Sequence, residues 1–156
     1  MFEAEEAFID SMDQLMDRVE TICKFIAYYI CQNCSQDFDV IFKDTKYEYF
    51  DKILNSKYKR ITYEEAIRVL QKNDKFSNLV YGQDLNAEQE KFLVDSFDNT
   101  PVFVTHFPSE LKPFYMKRDN QKVFLCRLIF NFKYLFCRRL CVDLLSPISG
   151  EICGGS

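Results

Sequence analysis

The chain is short of histidine, of basic surplus and of long apolar runs. Its one histidine, His106, stands far from Cys31-Gln32-Asn33-Cys34, the one CxxC among seven cysteines. A structural zinc site takes four Cys or His ligands, and no second pair lies at zinc-ribbon spacing, so zinc is not expected. The cysteine number is odd and the spacing irregular, which speaks against a secreted disulfide framework. Twenty Lys and Arg face twenty-four Asp and Glu, a net charge of −4. That leaves no overall basic footprint for a nucleic acid. No apolar run reaches the roughly 18–20 residues of a membrane-spanning helix. Met1 opens on an acidic stretch, so no signal or transit peptide is read there, a silence without weight if a longer chain precedes it.

What is present suits one modest domain core of 156 residues, rich in aromatics, with sixteen Phe and nine Tyr. Ser11 predicts a helix start, with Gln14 completing a capping box. Met12, Leu15, Met16, Val19, Ile22, Cys23, Ile26 and Ile30 recur at three- and four-residue spacing, a stripe for packing on a sheet. Tyr47, Phe50, Ile53 and Leu54 suggest a short second helix. Thr62 to Glu65 is another capping box, and Asn86 begins a further helix with Phe92, Leu93 and Phe97 inward. The pattern then changes to β-branched and aromatic alternation. Val102 to Phe107, between two prolines, reads as a strand, and Phe114-Tyr115-Met116-Lys117 as a second. His106 has no nucleophile beside it in sequence and reads as a hydrogen-bonded strand residue.

The C-terminal run carries the candidate chemistry. Asp143 and Glu151 are hard oxygen ligands on two short segments joined by a Pro/Gly turn. Facing each other, they could hold Mg²⁺, which takes one or two protein carboxylates and leaves its other positions to phosphates and water. Gly154 and Gly155 would let a ligand approach bare backbone. Spacing alone equally describes, and favours, an ordinary hairpin with solvated carboxylates.

The same run resembles the "DLL-P--GE--GGS" segment of asparaginyl-tRNA synthetases, members of the class II aminoacyl-tRNA synthetases. Other stretches agree in the family's order. Glu3-Ala4-Glu5-Glu6-Ala7-Phe8 resembles the "EAE-AF" end of motif 2, and Ile61-Thr62-Tyr63-Glu64-Glu65-Ala66 the "I-Y-EA" helix start. Tyr81-Gly82-Gln83-Asp84-Leu85 is similar to "WG-DL", with Tyr for Trp. Pro101-Val102-Phe103-Val104 and Lys112-Pro113-Phe114-Tyr115-Met116 match "PVFV" and "KPFYM".

The resemblance implies an α/β fold (α+β in the strict sense): antiparallel strands of the class II core, incomplete, with helices on one face. It implies an asparagine–tRNA ligase that uses ATP and Mg²⁺ to form asparaginyl-adenylate and then charges tRNA(Asn), acting as a homodimer. Glu3 would hold the amino acid. Asp143 and Glu151 would bind Mg²⁺–ATP, and Tyr115, Gly154 and Gly155 would line the pocket. No residue would act as a covalent nucleophile. An aspartyl- or lysyl-type synthetase is the alternative within the family, and a non-catalytic interaction protein the alternative outside it. A mitochondrial matrix parent is favoured over a cytoplasmic one on motif wording. No membrane partner is implied.

Residues 1–156 read as part of a catalytic domain, from the end of motif 2 to just before the segment preceding motif 3. Both phosphate-clamping arginines of the family are missing, so the chain alone is expected to be inactive. Residues 122–141 depart from the pattern. The family joins its flanks by a short turn, whereas residues 123–140 are apolar and aromatic with interspersed Arg and Lys. They are expected to be foreign to the fold, as a retained intron read through would be.

Overall fold

The computed structural model describes residues 3–34, 36, 37, 40, 47–118, 138–147 and 150–155, without the side chains of 47–49. Its frame is a four-stranded sheet in the order β1 (Lys59–Thr62), β2 (Val102–Thr105), β3 (Val142–Ser146), β4 (Gly150–Gly155). The last two pairs are antiparallel, as expected, but β1 runs parallel to β2, with Lys59 opposite Val102. The sheet is therefore mixed. A parallel pair needs a crossover of a dozen or more residues. Here α3 (Tyr63–Leu70) and α4 (Ala87–Ser96) supply it.

Helices cover both faces rather than one, and the strand period of two explains how. Val102, Val104 and Leu145 point to the crossover side, where they bury with Tyr63, Ala66, Ile67, Leu70, Leu93 and Val94. Phe103, Val142 and Leu144 point the other way, onto Met16 of α1 (Met12–Asn33) and Tyr58. The short helix α2 (Tyr47–Asn55) lies beside α1 and adds Ile53 to that cluster. Burying side chains of this size stabilises by roughly 1.5–3 kcal/mol each, so β2 and β3, buried at every position, anchor the domain.

The helix starts follow their sequence signals. Thr62 and Asn86 each complete a reciprocal capping box, with Glu65 and Gln89. Ser11 accepts the Gln14 N–H, but Gln14 returns its bond to Asp10 N–H, one residue earlier than expected. The stripe on α1 is only half used. Met12, Leu15, Val19 and Cys23 pack on the sheet, whereas Ile22 and Ile26 are 42% and 50% exposed. Both lie along one edge of the stripe, turned away from Met16 and Ala27, the buried residues of the helix. Among the described residues no helix is long and apolar enough to cross a membrane.

Two expectations after β2 change. Phe114 to Lys117 is not a strand. Pro113 brings no N–H, and its carbonyl accepts the Met116 N–H at 3.2 Å, which closes a turn. Most of the expected insert lies outside the described residues, but its end does not. Arg139 N–H bonds Phe107 O at 2.9 Å, and Leu140 N–H bonds Lys117 O at 2.8 Å. Arg138 pairs with Glu64 on α3 at 2.7 Å. Residues 138–140 thus pack with the described fold, because they satisfy the carbonyls of Phe107 and Lys117 and the charge of Glu64.

Candidate functional site

The site forms where the crossover side of the sheet meets the β3–β4 hairpin. Asp143 alternates with Val142 and Leu144, so it faces α4 while they face α1. Glu151 and Gly154 are three apart in β4 and would fall on opposite faces of a regular strand. A bulge corrects this: Leu145 pairs with Glu151 but Leu144 pairs with Cys153, so Ile152 is an extra residue. Glu151 and Gly154 therefore share the Asp143 face. A Cβ on Gly154 would lie 2.8 Å from Glu151 Oε1 and 3.3 Å from Asp143 Oδ1. The two carboxylates fill the space that a side chain there would need.

Around them is a cavity of about 100 Å³ lined by Asp84, Leu85, Glu90, Val104, Phe107, Lys112, Asp143, Leu145 and Glu151. Lys112 Nζ donates to Asp143 Oδ2 and stands 4.2 Å from the centroid of the Phe107 ring. Glu90, on α4, accepts the backbone N–H of Glu151. A Cβ on Gly150, whose φ is +75°, would come within 2.9 Å of Glu90 Oε2. The helix thereby grips the hairpin at its turn.

Burial pushes the carboxyls of Asp143, Glu151 and Glu90 above their ordinary range. The Lys112 hydrogen bond opposes the shift at Asp143, and the Asp143 charge adds to it at Glu151. Four acids against one ammonium make the cavity a seat for cations. Among the described residues no three Asp, Glu, His or Cys gather as a metal cluster. The donors on offer are two carboxylates converging over a glycine, a set that suits Mg²⁺ carrying phosphates and water.

The sequence-derived residues divide accordingly. Asp143, Glu151 and Gly154 come together. Gly155 pairs with Val142 and so lies on the opposite face of β4. Glu3 is exposed and Tyr115 is 73% exposed, edge-on to Phe114, and neither lines the cavity. Three lining residues were missed. Asp84 and Lys112 sit inside quoted motifs, so the motifs held the signal. Nothing local marks Glu90. Cys31 and Cys34 are free thiols at the end of α1.

A family model for class II tRNA synthetases (D, K and N) matches residues 1–156. The chain belongs to that family. It is 36% identical over 163 residues to an asparagine–tRNA ligase of Clostridium tetani, covering 100% of this chain and 32% of the relative. It is 35% identical over 159 residues to a probable mitochondrial asparagine–tRNA ligase of Dictyostelium discoideum, with 100% and 32% covered. Among solved structures, the asparaginyl-tRNA synthetase of Pyrococcus horikoshii complexed with asparaginyl-adenylate superposes with a TM-score of 0.74 at 28% identity. That match covers 94% of this chain and 30% of the other. The chain thus spans about a third of the length of its synthetase relatives.

Proposed function

We propose that this chain is a middle part of the catalytic domain of an asparagine–tRNA ligase. The observation that carries the reading is the convergence of Asp143 and Glu151 over Gly154, in a chain whose relatives are named asparagine–tRNA ligases. In the proposed reaction a carboxylate oxygen of asparagine attacks the α-phosphorus of ATP. The new bond gives asparaginyl-adenylate, and the bond to the bridging oxygen breaks to release pyrophosphate. A ribose hydroxyl at the tRNA(Asn) terminus then takes the asparaginyl group and releases AMP.

Catalysis of this kind is mostly positioning and charge neutralisation. Asp143 and Glu151 would hold Mg²⁺, which supplies positive charge for the phosphates when bound. Asp143 is fixed by its place in a fully buried strand and by Lys112. Glu151 is fixed through its backbone, by the pairing with Leu145 and the bond to Glu90. The cavity walls of Val104, Phe107 and Leu145 exclude water from one side, which strengthens charge interactions within. The role of Glu3 in holding the amino acid rests on the motif resemblance, as does pairing of two parent chains in a homodimer. We place the parent in the mitochondrial matrix rather than the cytoplasm, on motif wording and the mitochondrial relative.

The test is amino-acid-dependent pyrophosphate exchange by the full-length parent. Asparagine should support exchange, and aspartate and lysine should not. Glu151→Ala should weaken the use of Mg²⁺–ATP far more than Asp95→Ala, an exposed change on α4. Equal and small effects would mean that Asp143 and Glu151 hold no Mg²⁺ and serve only the hairpin.

A further inference from the structure

The two oxygens of Asp143 have different neighbours. Oδ1 faces Gly154 and Glu151, whereas Oδ2 is bonded to Lys112. We infer that Lys112 is the resident counter-cation of this pocket, repelling a bare divalent ion and yielding to one that arrives with phosphates. The inference rests on Asp143 and Glu151 being metal ligands.

Among the described lining residues Lys112 is the one cation, against Asp84, Glu90, Asp143 and Glu151. Its side chain is 14% exposed and that of Asp143 10%. The ammonium is also held over the face of Phe107, a contact that favours a cation where water is excluded. It is therefore seated rather than waving in solvent. An ion bound by Asp143 Oδ1 and Glu151 would have that ammonium as a near neighbour. At about 4 Å, even in the dielectric of water, a unit charge weakens the binding of a divalent ion roughly thirtyfold. Lysine can swing aside on its four-carbon stem, which reduces the penalty but breaks its bond to Asp143. A nucleotide changes the balance, because its phosphates offer Lys112 a new anionic partner. Metal alone is disfavoured and metal–nucleotide is accepted.

The test is titration of the full 156-residue chain with Mn²⁺, followed by the electron paramagnetic resonance signal of free Mn²⁺ at pH 8. Lys112→Met should bind Mn²⁺ at least about tenfold more tightly than wild type, and Lys112→Arg should match wild type. Lys112→Gln serves the same purpose if the methionine variant does not fold. Adding ATP should narrow the gap between wild type and the neutral variants. Mn²⁺ binding that requires Asp143, shown by its loss in Asp143→Asn, yet ignores the charge at 112 would overturn the inference alone. So would a gap that keeps its full size in ATP. Mn²⁺ binding unaffected by Asp143→Asn would overturn the metal reading and the inference together.

Discussion

Gly154→Ala separates the two properties that the hairpin combines. Glycine inside a strand costs about 0.5–1 kcal/mol relative to alanine, so with free space the change would stabilise. The space is not free, since the new Cβ would lie 2.8 Å from Glu151 Oε1 and 3.3 Å from Asp143 Oδ1. Glu151 is exposed and its carboxylate is the far end of a flexible side chain, so it can move by a few tenths of an ångström. The two effects should nearly cancel, leaving unfolding free energy within about 1 kcal/mol of wild type. Metal binding has no such tolerance, because Mg²⁺ demands near-octahedral geometry at about 2.0–2.1 Å. Disturbing even a group that only orients a ligand costs roughly 10–100-fold in affinity, and here a ligand itself is displaced. The expected result is unchanged urea unfolding with Mn²⁺ affinity at least about tenfold lower. Gly155→Ala is the control, since nothing lies within 4 Å of its would-be Cβ. If Gly154→Ala keeps wild-type affinity, or Gly155→Ala loses as much, the convergence of the carboxylates has no bearing on metal binding.

Two further expectations concern the helices behind the site. Burial holds the Glu90 carboxyl above its ordinary 4.5, so the folded chain keeps that proton more tightly than the unfolded chain. The contribution to stability is therefore full below about pH 4.5 and is lost as pH rises through the raised value. Glu90→Gln, which retains an acceptor for Glu151 N–H, should be more stable than wild type at pH 7, with the difference closing below about pH 4 in urea unfolding. A difference of equal size at both pH values would remove burial as the cause. Thr62→Ala should cost about 1 kcal/mol by opening the capping box of α3, and Thr62→Ser should restore it. A loss that serine does not rescue would assign the effect to the β1 end rather than the cap.

Local chemistry was legible in the sequence and long-range geometry was not. Thr62 and Asn86 declare their helices because a cap involves residues three apart. Asp143 and Glu151 could be paired because a turn of fixed length joins them. The parallel union of β1 and β2 depends on a crossover of about forty residues, and nothing local to Lys59–Thr62 shows which strand it will pair with or in which direction. Glu90 reaches the site through helix–hairpin packing, so its sequence neighbours carry no sign of it. The aromatic run 114–117 suggests a strand, while Pro113 commits the backbone to a turn closed by the Met116 N–H. The α1 stripe is wider than the face it buries, since periodicity reports a face and not how much of its width a partner covers.

The bulge at Ile152 has a consequence for how this hairpin can change. Ile152 is 49% exposed and pairs with no residue of β3, so its identity matters little and its exclusion from the ladder matters greatly. Draw it into the ladder opposite Leu145, keeping Gly154 opposite Asp143, and the parity of β4 reverses upstream: the Glu151 carboxylate turns from the cavity towards Met16 and Tyr58. Exchanges at this position are spelling changes, and even its deletion keeps Glu151 opposite Leu145, while a one-residue slip of the ladder is a reading-frame error in three dimensions. The site is specified as much by an interval as by its acids.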